Sequence, residues 1–183
     1  MTKKVDSLLK EIVKEVSVPK EEYRKMKSGL DGFLKKIKEN VKSKKIVAQV
    51  FVGGSFAKGT LVKKEKYDAD VFVRFDKRYK GSELSEILKK ILEEVCKKEN
   101  VILIHGSRDY FKINLSENFY LEIVPVRKIN SVKDYENITD LSYCHVKYLE
   151  KRIKSEKMLE QIKIAKSFVR YSGCYGAESY ISG

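Results

Sequence analysis

The first forty residues have the apolar spacing of two amphipathic helices. Between residues 3 and 16, apolar side chains recur three and four positions apart, at Val5, Leu8, Leu9, Ile12, Val13 and Val16, which places them on one helical face. Ser17-Val18-Pro19 interrupts this pattern. Pro19 followed by Glu21 and Glu22 is typical of a new helix start, with acidic residues near its positive end. The pattern therefore predicts helices over 3–16 and about 19–41.

Short β-branched runs dominate the middle of the chain. They predict strands at 46–52, 71–75, 101–105, 109–115 and 119–126, and the helical period returns once between them, over 83–99. Helices and strands are therefore mixed rather than strictly alternating. This order predicts an α/β fold of the α+β type, in which a mixed sheet is flanked by helices on one side.

A lower apolar density over Asn130–Asp140 indicates a connection between two regions. Helical spacing returns over Tyr143–Tyr171 with a basic exposed face. We expect a first domain at residues 1–130 and a helical neck segment at 131–183. The neck is expected to begin a central domain that is truncated, because no capped end follows it.

The composition is typical of a soluble, folded protein, with 42% hydrophobic and 36% charged residues. No run approaches the roughly 20 apolar residues of a membrane-spanning helix, and no signal peptide is indicated. Cys96, Cys144 and Cys174 lie far apart, which favours neither a disulfide framework nor a zinc site. We expect a cytoplasmic protein with free thiols and no membrane partner; its oligomeric state is not predicted.

The charge balance is strongly basic. A net charge of +13 attracts polyanions and suggests nucleic acid as a partner. The same lysines are equally compatible with a surface that is merely soluble. Charge alone therefore leaves both interpretations open.

Two carboxylates precede the apolar run of the second predicted strand. In Asp68-Ala69-Asp70, strand alternation sends both carboxylates to one face. Oxygen ligands of this kind suit Mg²⁺, as phosphoryl transfer requires. Glu122 is a third candidate, since it stands alone in an apolar strand. Taken in isolation, Glu122 fits equally well as a solvent-facing glutamate of an edge strand.

A glycine turn follows the first predicted strand. Gly53-Gly54-Ser55 is expected to open a helical turn whose bare backbone can receive phosphate oxygens, with donors from Ser55, Lys58 and Thr60. The segment lacks the spacing of a P-loop. Its significance comes from the order of strand, Gly-Gly-Ser turn, D-x-D strand and later acidic strand.

That order resembles the polymerase-β-type nucleotidyltransferase superfamily, and within it the archaeal-type (class I) CCA-adding enzymes, which are tRNA nucleotidyltransferases. Gly54–Thr60 is similar to their G-S-[YF]-A-[RK]-x-T turn, and Leu121–Pro125 to their [VL]-[DE]-[VI]-V-P strand. Asp140–Ile153 resembles their link between catalytic head and neck. Ile164–Lys166 and Gly173–Glu178 resemble the stretch L-L-K…G-[IVC]-Y-G-A-E.

The resemblance implies a polymerase-β-like fold and template-independent addition of C, C and A to the 3′ end of tRNA from CTP and ATP. It implies that Asp68, Asp70 and Glu122 are catalytic and bind metal, expected as two Mg²⁺ ions. The nucleotide-binding residues that it implies are Gly54, Ser55, Lys58, His145, Lys166 and Tyr175.

The chain departs from the family pattern in two ways. The third carboxylate is most often aspartate there, whereas Glu122 is one methylene longer. The chain also ends where the central domain of the family continues, so a second chain is expected to supply the body and tail domains, unless this is a minimal relative. Two other hypotheses stay open: another RNA or oligoadenylate nucleotidyltransferase, and a non-enzymatic basic RNA-binding module.

Overall fold

The structure, a computed structural model, describes residues 3–96 and 100–174. Its helices are α1 (Lys3–Val16), α2 (Lys20–Ser43), α3 (Gly54–Ala57), α4 (Leu84–Val95), α5 (Ser142–Arg152) and α6 (Glu156–Tyr171). Its strands are β1 (Ala48–Val52), β2 (Tyr67–Phe75), β3 (Val101–Ile104), β4 (Tyr110–Ser116) and β5 (Phe119–Arg127). Short 3-10 turns lie at Gly81–Glu83, Val132–Asp134 and Ile138–Leu141.

The strands form a five-stranded sheet in the order β1-β2-β5-β4-β3. β2 and β5 pair in parallel, and the other neighbours pair antiparallel. The predicted mixed sheet is therefore confirmed. The parallel pair at its centre joins two strands that are distant in sequence, because α4, β3 and β4 lie between them in the chain.

One face of the sheet packs against α2 and α4. The apolar positions of α2 recur at helical spacing, and the inward residues of β2 and β5 alternate with polar ones. The buried side chains of this core include Leu30, Phe33 and Ile37 of α2, Leu88 and Ile91 of α4, Val71, Val73 and Phe75 of β2, and Leu121 and Ile123 of β5. Alternation consequently sends the polar residues of β2 and β5 to the opposite face.

Several element boundaries differ from the prediction, and β1 begins at Ala48 rather than at 46. β2 begins at Tyr67, earlier than the predicted start at 71, because the Tyr67 N–H donates to the Asn118 carbonyl at 2.8 Å and continues the sheet. The predicted helical stretch 143–171 is two helices, since Ser155 caps α6 by accepting from the Met158 N–H at 3.2 Å. α4 ends at Val95, and residues 97–99 of the predicted helix lie outside the described residues.

Asp140 joins the sheet to the start of α5. Its side chain is fully buried and pairs with Arg108, which is itself mostly buried. The same carboxylate accepts the N–H of Arg127 at 2.7 Å and those of Glu136 and Asn137 at 3.2 and 3.1 Å. Because these donors come from the end of β5 and from the following turn, one buried charge holds together the segments that lead into α5.

The three cysteines are free and half-buried. No helix among the described residues has both the length and the apolar character that crossing a membrane requires.

Replacing Asp140 by alanine should destabilise the fold strongly. The substitution leaves Arg108 buried without its counter-charge, which typically costs about 3–5 kcal/mol. Urea denaturation of Asp140→Ala should show a loss of that size in the free energy of unfolding. The control is Glu150→Ala, which removes a half-exposed ion pair with Lys147 and should cost about 1 kcal/mol or less. Equal effects of the two substitutions would contradict the prediction.

Candidate active site

The three predicted carboxylates lie on the same face of the sheet. Asp68 and Asp70 are on β2, and in the parallel pairing of β2 with β5 Asp70 stands directly beside Glu122. Each is partly buried, whereas the residues that alternate with them point into the core. Glu122 lies on a central strand, so the hypothesis of a solvent-facing glutamate on an edge strand is wrong.

The Gly-Gly-Ser turn packs directly against Asp70. Gly54 has a positive φ of 59°, a conformation that residues with a Cβ rarely adopt. A Cβ at Gly54 would overlap the Asp70 carboxylate, and one at Gly53 would overlap the Phe72 ring. The Gly53 N–H donates to the Asp70 carbonyl at 2.8 Å. Glycine is therefore required here so that the backbone can approach the carboxylates.

Two lysines that the sequence analysis missed balance part of this negative charge. Lys64 forms an ion pair with Asp68, and both side chains are largely shielded from solvent. Lys112 of β4 is the cross-strand neighbour of Glu122, and its Nζ lies 3.9 Å from the centroid of the Tyr120 ring. Strand alternation in 109–115 predicts which face of the sheet Lys112 occupies. The sequence does not predict the register of β4 against β5, which sets Lys112 beside Glu122.

The carboxylates disfavour one another's ionisation. Burial raises the pKa of Asp70 above its ordinary value, and the negative charge of Asp68 raises it further, against the opposing effect of Lys58 and Lys64. Burial likewise raises the pKa of Glu122, with added repulsion from Asp70 and Asp68. Perturbation of this kind by burial and like charge is typical of functional sites.

The predicted nucleotide-binding residues differ in how the structure places them. Lys166 of α6 lies near the site: burial lowers its pKa, and the charges of Lys58 and Lys64 lower it further, while Asp68 raises it. Ser55 is half-buried in α3. His145 is exposed on α5, and within the described residues no hydrogen bond or ion pair links it to the carboxylates. Tyr175 lies outside the described residues.

A cluster of aromatic and cationic side chains holds α5 on the same face. The Tyr143 ring meets Phe51 edge-on, with 5.1 Å between centroids, and the Arg74 guanidinium lies 4.2 Å from the Tyr143 centroid. Phe51 in turn stacks on Phe72. The sequence does not predict this contact, because helical spacing places Tyr143 on a helix but does not indicate which strand the helix packs against.

The carboxylates fit a divalent metal by their chemistry. Three oxygen donors face one region. The pKa values of Asp70 and Glu122 are raised first by burial and then by the negative charge of the neighbouring carboxylates. No three His, Cys, Asp or Glu side chains of the described residues are already close enough to form a ready ligand cluster.

Comparison with protein families places the whole of this region in one family. Residues 3–144 match the Second Messenger Oligonucleotide or Dinucleotide Synthetase (SMODS) domain. The chain belongs to the SMODS family. The matched range includes the glycine turn of this SMODS chain and its three candidate carboxylates, Asp68, Asp70 and Glu122.

Curated relatives of this SMODS chain include archaeal CCA-adding enzymes. The chain is 40% identical over 166 residues to the CCA-adding enzyme of Nanoarchaeum equitans, covering 90% of this chain and 39% of that enzyme. It is 29% identical over 182 residues to that of Methanocaldococcus jannaschii, covering 98% and 40%. These matches confirm the predicted resemblance. The chain spans about two-fifths of the length of these relatives.

Solved structures confirm the predicted polymerase-β-like nucleotidyltransferase fold. Cid1, an RNA terminal uridylyl transferase, superposes with a TM-score of 0.69 at 15% identity, covering 92% of this SMODS chain and 47% of Cid1. CdnC of E. coli MS115-1, solved with ATP, superposes with a TM-score of 0.69 at 16% identity, covering 90% and 57%. At these identities the likeness concerns the fold.

Replacing Gly54 by alanine should disrupt the site. The added Cβ overlaps the Asp70 carboxylate at a positive φ, so either the turn or Asp70 must move. We expect a lower thermal midpoint, together with a loss of any Mg²⁺-dependent rise in that midpoint. The control is Gly32→Ala in α2, where a Cβ meets nothing within 4 Å and should stabilise the helix by about 0.5–1 kcal/mol. Unchanged stability and an unchanged metal response in Gly54→Ala would refute this account.

The raised pKa values predict that ionising the site carboxylates costs stability. Folded Asp70 and Glu122 keep their protons to higher pH than the unfolded chain does. The folded state therefore binds more protons between the unfolded and folded pKa values, and their contribution to the free energy of unfolding falls as pH rises through that window.

Asp70→Asn should consequently raise the thermal midpoint at neutral pH, because it removes a buried charge and the repulsion between that charge and Asp68. The gain should shrink as the pH is lowered through the raised pKa of folded Asp70. It should vanish only below the unfolded pKa of about 3.9, where the carboxyl group is protonated in both states. Thermal unfolding of both proteins across that pH range, with a chelator present, measures the difference. An Asp70→Asn protein that is less stable than wild type at neutral pH would contradict the prediction that the charged form of Asp70 destabilises the fold.

Proposed function

We propose that this SMODS chain forms the head and neck of an Mg²⁺-dependent enzyme that adds C and A from CTP and ATP to the 3′ end of tRNA. The meeting of Asp68, Asp70 and Glu122 beside the glycine turn is the observation that supports a nucleotidyltransferase. The relatives named CCA-adding enzyme support tRNA as the substrate.

The reaction joins the 3′-oxygen of the RNA to the α-phosphorus of the nucleotide, and the bond to the β-phosphate breaks to release pyrophosphate. Asp68, Asp70 and Glu122 would hold two Mg²⁺ ions, which when bound supply Lewis-acid activation of the hydroxyl and neutralise phosphate charge. By the family resemblance, Glu122 would be the third carboxylate, which helps to activate the attacking 3′-hydroxyl.

The triphosphate would lie among the cations around Asp68. The charges of Lys58 and Lys64 act on both Asp70 and Lys166, which supports a common anionic ligand for the three lysines. Gly54 and Ser55 would contribute backbone and hydroxyl donors from the turn. His145 and Tyr175 would contact the nucleotide, a role that rests on the family resemblance alone.

The length of the relatives supports a further part of the proposal. The chain spans about two-fifths of these relatives. We propose that a second chain, or further residues of a longer protein, supplies the body and tail domains.

A second candidate function is the synthesis of a short oligonucleotide or the tailing of another RNA. The SMODS match favours it, since the family is described by synthesis of second-messenger oligonucleotides or dinucleotides. The two candidates differ in acceptor and nucleotide choice. A CCA-adding enzyme needs tRNA and uses CTP and ATP, whereas an oligonucleotide synthase yields product from nucleotides alone.

Incubation with tRNA that lacks its 3′ CCA, Mg²⁺ and each labelled nucleotide in turn should give incorporation from CTP and ATP. Asp68→Asn and Asp70→Asn should each lose several kcal/mol of transition-state stabilisation, which is about 1,000-fold or more in rate. The control, Asp31→Asn, removes only an exposed helical ion pair with Lys27 and should keep full activity.

The assay is run with and without a supplied body chain from a relative. Product from nucleotides alone would favour the oligonucleotide synthase. No incorporation under any condition, with RNA binding retained, would leave the non-enzymatic RNA-binding module as the surviving hypothesis.

A further inference from the structure

A groove of about 690 Å³ lies between the segment that precedes β2 and the last turns of α6. It is lined by Val16, Lys63, Lys64, Glu65, Lys66, Ser167, Arg170 and Tyr171. Most of these residues belong to neither the metal site nor the predicted nucleotide site. Lys64 is shared, because it lines the groove and also pairs with Asp68. One end of the groove therefore reaches the site.

The groove has an excess of positive charge. Four cations line it against one carboxylate, Glu65. Lys63, Lys66 and Arg170 are exposed, and within the described part of the chain none of them forms an ion pair or a side-chain hydrogen bond. Unpaired cations along a cleft create a field that draws in a polyanion. The lowered pKa of nearby Lys166, caused first by burial and then by neighbouring positive charges, is consistent with this excess.

The walls of the groove are fixed by the backbone. The Lys63 N–H donates to the Val16 carbonyl at 2.8 Å, and Ser17 and Val62 form an antiparallel bridge. On the other side, α6 packs along α1. These backbone contacts fix the position of Lys63, at the start of the segment 63–66 that lines the groove.

Aromatic side chains stand at the rim. Tyr171, which lines the groove, is 85% exposed, and Phe168, one turn earlier on α6, is 70% exposed. The two rings are three residues apart on α6 and therefore lie on neighbouring parts of its surface. Exposed rings next to a basic groove are the combination by which proteins bind unpaired nucleic acid: the cations follow the phosphates, and the rings stack on bases.

We propose that this groove binds a single-stranded segment of the RNA substrate, with phosphates at Lys63, Lys66 and Arg170 and a base stacked on Tyr171. The inference rests on the proposed function in that it takes RNA as the substrate. A duplex is a poorer fit because its bases are stacked internally and are not free to meet Tyr171. The nucleotide triphosphate is assigned to Lys58, Lys64 and Lys166, which lie closer to the carboxylates.

Equilibrium binding of RNA tests the groove without requiring turnover. The probe is a fluorescein-labelled, unpaired oligoribonucleotide of about ten nucleotides, whose anisotropy is measured at several salt concentrations without nucleotide or metal. The triple variant Lys63→Ala, Lys66→Ala, Arg170→Ala should bind at least about 10-fold more weakly. Its slope of log affinity against log salt should fall by about 2, because three phosphate contacts are lost.

The matched control removes three exposed lysines elsewhere, Lys35→Ala, Lys38→Ala and Lys90→Ala, and has the same net charge as the groove variant. It should bind within about threefold of wild type with little change in salt slope. Tyr171→Ala should weaken binding about fivefold or more through lost stacking. Tyr135→Ala, which removes an exposed tyrosine outside the groove, should not.

The outcomes separate this inference from the proposed function. Equal losses in the groove and control triple variants would overturn the groove and leave the enzyme hypothesis intact. Normal RNA binding together with a raised KM for ATP in the groove variant would assign the groove to the nucleotide and also overturn the inference. Groove-dependent RNA binding in a wild-type protein that adds no nucleotide would support the groove and count against the proposed function.

Discussion

The parallel pairing of β2 with β5 is the constraint on which the site depends. It sets Asp70 beside Glu122 and, by alternation, puts Asp68 on the same face while the intervening residues enter the core. A shift of the register by one residue would turn every one of these side chains to the other face. The core formed with α2 and α4 therefore specifies the position of the carboxylates as well as the stability of the sheet.

This arrangement places three carboxylates close together at positions that are only partly exposed to solvent. Burial and mutual repulsion raise the pKa values of Asp70 and Glu122. Lys64, which precedes β2, and Lys112 of β4 supply positive charge beside these carboxylates. The compensation is partial. A site of this kind is less stable than a neutral one, which is the usual relation between a functional site and the fold that supports it.

Much of this could be predicted from local pattern. The alternation in β2 and the lone acid in β5 indicated the carboxylates, and the glycine pair indicated a turn that only glycine can make. What the sequence could not provide was pairing between distant strands: the neighbour of Glu122 proved to be Lys112, and β4 meets β5 through an irregularity near Asn114. The Asp140 cluster was missed for the same reason, because its partner Arg108 lies on a different segment.

The position of β5 between β2 and β4 also bears on how the protein acquires its site during folding. β3, β4 and β5 follow one another as antiparallel neighbours, so their pairing closes only short loops. Asp70 and Glu122 are about 50 residues apart in the chain, and their strands meet only after α4 and the β3–β5 meander have found their places. The carboxylates should therefore come together late, and a partly folded chain would possess helices and hairpins but not the proposed metal site. In this architecture the proposed activity would report on completion of the sheet.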